Sequence, residues 1–229
     1  MIAPDTLATP AGDLVIQPVE HASLVLTLGR DVVYSDPVGG AARYAGLPRP
    51  SAILLTHEHK DHFDLETLLA LVGDATPPIA AAAGVAAKLP DALRRVTSVL
   101  GYDDSTRLGD VPVTAVVACN TSPERLRYHP RGLGNGYVLT LGGRRIYIAG
   151  DTEPTPEMGA LESIDVAFLP MNLPYTMDAE QAAAAIRAFR PAIVYPFHYT
   201  RGPEPEKLAA LLADLPAVEI RLRDWYAPG

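Results

Sequence analysis

A single cysteine, Cys119, is all the thiol chemistry this chain has. No intrachain disulfide can form, and a reducing, cytoplasmic compartment is the simpler expectation. Basic runs are also missing, and the net charge is -8. That balance argues against a nucleic-acid backbone or an anionic membrane surface as a tight partner. The start, Met1-Ile2-Ala3-Pro4-Asp5, lacks a basic region followed by an apolar stretch, and no apolar run is long enough to span a bilayer. Neither a signal peptide nor a membrane span is expected. No repeat, low-complexity tract or linker divides the chain, so one domain over 1–229 is the economical reading. With 48% hydrophobic residues, this length can bury a sizeable core.

What the chain does have is a concentration of histidine. Thr56-His57-Glu58-His59-Lys60-Asp61-His62 follows directly on the apolar run Ala52-Ile53-Leu54-Leu55. So short a run, bounded by Pro50-Ser51, reads as a buried strand with the polar cluster at its carboxyl end. In an extended segment His57 and His59 point to one side. Asp61 and His62 come a turn later and can face back, while Glu58 and Lys60 point outward. Imidazole nitrogens and carboxylate oxygens are ligands for zinc or a similar divalent ion.

Strands are expected over 14–19, 23–28, 31–35, 52–55, 79–83, 96–100, 111–118, 137–141, 144–148, 166–169, 193–196 and 218–222. Gly29-Arg30 and Gly142-Gly143 are hairpin turns. Asp64 caps a helix that Gly73 stops, and Val85 begins a second that Pro90 interrupts. Asp178 or Thr176 caps a third reaching Phe189, and Leu208, Leu211 and Leu212 mark a last one. Residues 119–136 form a long polar loop, unusual in a compact domain unless functional.

Three separate strands end in a ligand-type residue: His57 after 52–55, Asp151 after 144–148 and His198 after 193–196. A rigid sheet builds a metal site from distant positions in this way. The candidates are His57, His59, Asp61, His62, His129, Asp151 and His198. Seven exceed the four of one tetrahedral ion and suit two ions sharing a bridging carboxylate. Each has a duller reading. Asp61 could cap the following helix, Asp151 could bind its own turn, His198 could be a core histidine and His129 a loop surface residue. His21 and Asp36 read as supports, Asp36 orienting a ligand imidazole through its other nitrogen. Tyr175, Asn172, Arg131, Tyr199 and Arg201 are candidate substrate contacts. Cys119 reads as a small packed residue.

His57-x-His59-x-Asp61-His62, then Gly150-Asp151-Thr152 and a strand-end His198, resemble the metallo-β-lactamase-fold hydrolases. Glu20-His21-Ala22-Ser23, Asp36-Pro37, Tyr175-Thr176-Met177-Asp178-Ala179-Glu180 and Pro196-Phe197-His198-Tyr199 resemble the branch related to L-ascorbate-6-phosphate lactonase. The resemblance covers nearly the whole chain. It implies an α/β fold, a four-layer αββα sandwich of two mixed sheets with outer helices. It also implies that His57, His59 and His129 hold one ion, that Asp61, His62 and His198 hold the other, and that Asp151 bridges them. Two divalent ions are expected, zinc first, with manganese or iron as alternatives.

The expected activity is metal-dependent hydrolysis, with a metal-bridging hydroxide cleaving a small ester-like substrate, a lactone first and a phosphodiester second. Asp61 and His62 are the catalytic candidates, Asp61 holding the nucleophile's proton. No serine or cysteine triad competes. A non-catalytic metal-binding relative and an amidohydrolase barrel are the other readings. The barrel needs about 250 residues in eight strand–helix units, and the early hairpins count against it. The partner expected is a small-molecule substrate, and a homo-oligomer is compatible with the composition.

Overall fold

The computed structural model describes residues 2–199 and 202–226. Arg201 lies outside them. The described residues form two seven-stranded sheets. The first runs in chain order: β1 (Asp5–Thr9), β2 (Gly12–Glu20), β3 (Ser23–Leu28), β4 (Asp31–Ser35), β5 (Ala52–Leu55), β6 (Ile79–Ala81) and β7 (Thr97–Val99). Strands β1 to β4 pair antiparallel, and from β4 onward the pairing is parallel. The second sheet repeats the plan with β8 (Ser105–Leu108), β9 (Val111–Ala118), β10 (Gly134–Leu141), β11 (Arg144–Ile148), β12 (Val166–Pro170), β13 (Ile193–Phe197) and β14 (Glu219–Ile220). Here β8 to β11 are antiparallel and β11 to β14 parallel. Two open mixed sheets exclude the amidohydrolase barrel.

Parallel strands need crossovers, and helices supply most of them. On the first sheet these are α1 (Leu65–Val72), α2 (Ala83–Ala86) and α3 (Asp91–Arg94). On the second they are α4 (Pro156–Gly159), α5 (Ala179–Phe189) and α6 (Glu204–Leu211). Side chains alternate between two buried faces. In β5, Ala52 and Leu54 join the core between the sheets, while Ile53 and Leu55 pack beneath α1 and α2. In β12, Val166 and Phe168 face the other sheet, while Ala167 and Leu169 meet α5. Strands buried on both faces read as unbroken apolar runs. The result is the four-layer αββα sandwich. No helix among the described residues is long and apolar enough to cross a membrane.

Caps follow the sequence. The Asp64 side chain accepts from Glu66 N and Thr67 N, and Gly73 ends α1 at φ 56°. Asp178, rather than Thr176, caps α5, in a reciprocal box with Gln181. Several elements differ from expectation. β1 and β8 do not stand out in the sequence because both are edge strands, half exposed and weakly apolar. The loop over 119–136 ends earlier, because β10 starts at Gly134, paired with Ala118. The glycines that suggest a loop there allow close packing instead. A Cβ at Gly134 would stand 2.7 Å from His57 Cβ. Gly134→Ala must therefore push His57 away. We expect at least tenfold weaker metal binding, roughly 1.4 kcal/mol, by isothermal titration, with a lower melting temperature.

Candidate metal centre

Every predicted ligand lies just past a strand end or on a loop over the same edge of the sandwich. β4 ends at Ser35, and Asp36 follows with φ 42°. Its Oδ1 accepts from Thr56 N at 2.8 Å, and its Oδ2 lies 2.8 Å from His62 Nδ1. The chain after β5 then turns tightly, with Phe63 N donating to His59 O at 2.8 Å. That turn brings Asp61 and His62 back toward His57 and His59. Gly150, with φ 64°, turns the chain after β11 and delivers Asp151. His198, at φ 50°, follows β13. Positive φ at non-glycine residues is costly, and here it coincides with groups aimed into one site.

His129 comes from the loop between β9 and β10. Its Nδ1 lies 3.1 Å from Asn120 Oδ1 and 3.2 Å from Tyr175 O. Both neighbours are acceptors, so Nδ1 carries the proton and Nε2 presents its lone pair to the centre. Asp36 fixes His62 in the same way. Thr56 Oγ1, 3.0 Å from His57 Nδ1, holds that ring.

Asp151 is at the middle. Its Oδ2 lies 3.1 Å from His129 Nε2, 3.2 Å from His198 Nε2 and 4.0 Å from His57 Nε2. Its Oδ1 lies 3.2 Å from His62 Nε2. His59 Nδ1 lies 3.0 Å from His57 Nε2 and 3.2 Å from His129 Nε2. His198 Nε2 lies 3.6 Å from Asp61 Oδ2. Three groups could each hold a cation: His57, His59 and His129; His57, His62 and Asp151; and His21, Asp61, His62 and His198. Within each, the ligand atoms lie inside 4.8 Å of one another.

A cation fits this arrangement. His62 Nε2, His198 Nε2 and Asp151 Oδ1 are buried in this cluster, yet none has a hydrogen-bond partner. Buried polar atoms left unpaired are costly, and these are all donors to a divalent ion. Asp151, His57 and His59 are already held in the form a cation needs. Burial raises Asp151, but His198, His62 and His129 outweigh it and hold the carboxyl well below its usual range. Burial likewise raises Asp61, and the neighbouring His198 and His21 imidazoles reverse the shift. Burial, reinforced by neighbouring imidazoles, lowers His57 and His59 and keeps them neutral, as ligands must be. Burial also lowers His62 and His198, but Asp151 overcomes it and raises both.

A cavity of about 500 Å³ opens onto this cluster, walled by Lys60, Arg127, Tyr128, Asn172 and Tyr175. Tyr175 and Asn172 therefore stand where substrate contacts were expected. Arg131 does not line the cavity: it pairs with Glu157 at 2.5 Å and lies over the Tyr102 ring. Tyr199 is also elsewhere, its hydroxyl donating to Arg223 O. Glu58 points away to Lys88, but Lys60 borders the cavity rather than facing out. Cys119 is buried, and its thiol is pushed up by burial.

Sequence reasoning passes over Glu153, whose side chain is fully buried. Its carboxylate accepts from Thr121 N, Ser122 N, Ser122 Oγ, Arg125 and Gln181 at 2.7–2.9 Å, pinning the His129 loop to α5. Its place two residues after Asp151 is the only local signal. Arg127 is hidden for the same reason: loop spacing does not say which side chain turns inward.

Comparison with known proteins sets this geometry in a class. The family model described as a beta-lactamase superfamily domain matches residues 32–199. The chain is 32% identical over 172 residues to a UPF0173 metal-dependent hydrolase of Thermoplasma acidophilum, covering 71% of this chain and 73% of that protein. It is 32% identical over 206 residues to one of Pyrobaculum calidifontis, covering 84% and 85%. A crystal structure from Parabacteroides distasonis, assigned as a metal-dependent hydrolase, superposes with a TM-score of 0.87 at 39% identity, covering 97% and 99%. The chain belongs to the UPF0173 metal-dependent hydrolase family of the beta-lactamase superfamily.

Proposed function

We propose that the chain holds two divalent ions and hydrolyses a small ester-like substrate, a lactone in the first instance. The carrying observation is the central Asp151, whose carboxylate lies 3.1 Å from His129 of the first set and 3.2 Å from His62 and His198 of the second. In this reading His57, His59 and His129 hold one ion, Asp61, His62 and His198 the other, and Asp151 both. Zinc suits the imidazole-rich set, with manganese or iron as alternatives. Such ions, when bound, lower the pKa of water from 15.7 to about 7 and polarise a carbonyl or phosphoryl oxygen. Asp61, 53% exposed at the cavity floor, takes and orients the nucleophile's proton on its carboxylate. His62, locked by Asp36, keeps its Nε2 aimed inward. The motifs at 20–23, 36–37, 175–180 and 196–199 support the lactone, by resemblance to the ascorbate-6-phosphate lactonase branch.

Lys60 and Arg127 refine the substrate. Both border the cavity, and among the described residues neither is paired with a carboxylate. Arg127 lies 4.8 Å from the Tyr128 ring centre and donates to its hydroxyl at 2.8 Å. Unpaired cations at the mouth of a site in an acidic chain favour a substrate carrying a carboxylate or phosphate. Arg127→Ala is expected to raise KM for a phosphorylated lactone about tenfold, with kcat within about twofold. An unchanged KM would remove Arg127 from substrate binding.

The test of the proposal is a hydrolysis screen over lactones, phosphodiesters and thioesters, each with and without an acidic group. The expected result is chelator-sensitive opening of an acidic lactone. Turnover of phosphodiesters alone would shift the assignment to the second reading. Two bound ions with no turnover of any class would favour a non-catalytic metal protein.

A further inference from the structure

Asn120 lies just past the end of β9, in the loop that carries His129, and it is buried. Its main-chain N donates to His129 O at 2.8 Å. Its side-chain Nδ2 donates to the Tyr175 main-chain O at 2.8 Å, and its Oδ1 accepts from His129 Nδ1 at 3.1 Å. The amide can face only one way. A carbonyl oxygen cannot donate, so Tyr175 takes the NH2 end and His129 is left the oxygen. Segment 172–176, between β12 and α5, is a wall of the cavity, bordered by Asn172 and Tyr175. Tyr175 is 44% exposed, and its ring meets Tyr128 edge-on, with centres 4.9 Å apart. Within the segment, Tyr175 N and Thr176 N both donate to Asn172 O, at 2.8 and 2.9 Å. Three side chains of the β9–β10 loop reach its main chain: Asn120 and His129 at Tyr175 O, and Arg125 at Thr176 O. An exposed ring has little core packing to hold it, so these bonds set its place.

We propose that Asn120 is a positioning residue that couples the two loops, orienting His129 and, through the same amide, ordering the Tyr175 wall when the first ion binds. This rests on the reading that His129 holds that ion. Ligation at Nε2 stops the ring from turning and so fixes the direction of Nδ1–H. That direction fixes the Asn120 amide, and the amide fixes Tyr175 O. The coupling is reciprocal: an ordered wall tightens the ion by the factor with which the ion orders the wall. The loaded protein then presents a set substrate wall, and the empty protein a looser one.

The experiment uses the full chain, stripped of metal and titrated with Zn2+, with hydrogen exchange of the Tyr175 and Thr176 amides followed at each loading. In wild type the first Zn2+ is expected to slow both at least about fivefold. Asn120→Ala removes both ends of the amide. Its first Zn2+ should bind at least about tenfold more weakly, and the slowing should vanish. Asn120→Asp, at about pH 8 where a carboxyl is ionised, returns an acceptor to His129 but sets a second acceptor against Tyr175 O. It should recover wild-type affinity or better without recovering the slowing. No slowing in wild type, wild-type affinity in Asn120→Ala, or slowing kept in Asn120→Asp overturns the proposal. Affinity and slowing that fall together in both variants also overturn it, since that is what a merely structural residue would give. If Asn120→Ala does not fold, Asn120→Asp decides alone. His129→Ala tests the level beneath. It must lose the first ion; if it keeps both, the two-ion reading itself fails, whatever Asn120 does.

Discussion

Asp151→Asn is expected to lower kcat/KM by at least about 10³-fold, on the order of 4 kcal/mol of transition-state stabilisation. The size follows from position. Asp151 lies within 3.2 Å of His62, His129 and His198 and reaches His57 at 4.0 Å. No other carboxylate among the described residues touches both halves of the cluster. An amide keeps the shape but halves the oxygen donors and removes the charge that balances two cations. Metal content should fall from two ions to one or none, measured by mass spectrometry of the purified protein. Activity surviving with two ions bound would show that the carboxylate is not the bridge.

Glu153→Ala is expected to cost about 3–5 kcal/mol of stability, measured by urea unfolding. It takes the buried carboxylate partner from the Arg125 guanidinium, leaving it Gln181 Oε1 and Thr176 O, and frees Thr121, Ser122 and the Gln181 amide from their acceptor. The acid limb provides an independent check. Burial alone would raise Glu153, but its hydrogen bonds outweigh that and bring it from 4.5 to about 2. A depressed carboxyl stabilises the fold fully above its unfolded value and loses that contribution as pH falls through its folded value. Wild type should therefore lose roughly 3 kcal/mol more than Glu153→Gln between pH 4.5 and pH 2, with metal removed from both. Parallel acid limbs would mean that the charge of Glu153 does not matter to the fold.

How much of this is legible in the sequence depends on distance along the chain. The strand at 52–55 and its histidines are local: a short apolar run, then imidazoles at alternating positions. Asp151 and His198 are legible because each follows a strand that its apolar pattern marks. His21 and Asp36 stand out as chemical types, but their work lies in contacts across the fold, to Asp61 and His198 and to His62. Arg131 attracts attention as a cation beside His129, yet backbone geometry sends it to Glu157 and turns Arg127 toward the cavity. Gly134 illustrates the same limit. Its composition suggests a loop, while the reason for the glycine is a neighbouring His57 that sequence proximity does not reveal.

Metal content and hydrolysis measured together test the central claim most directly. The protein would be stripped with a chelator and reloaded stepwise, with lactone turnover followed at each step, alongside His59→Ala. The account predicts two ions per chain at full loading, turnover rising with occupancy, and a folded His59→Ala with weakened metal content and little activity. Full turnover by the stripped protein, or by metal-free His59→Ala, would contradict it.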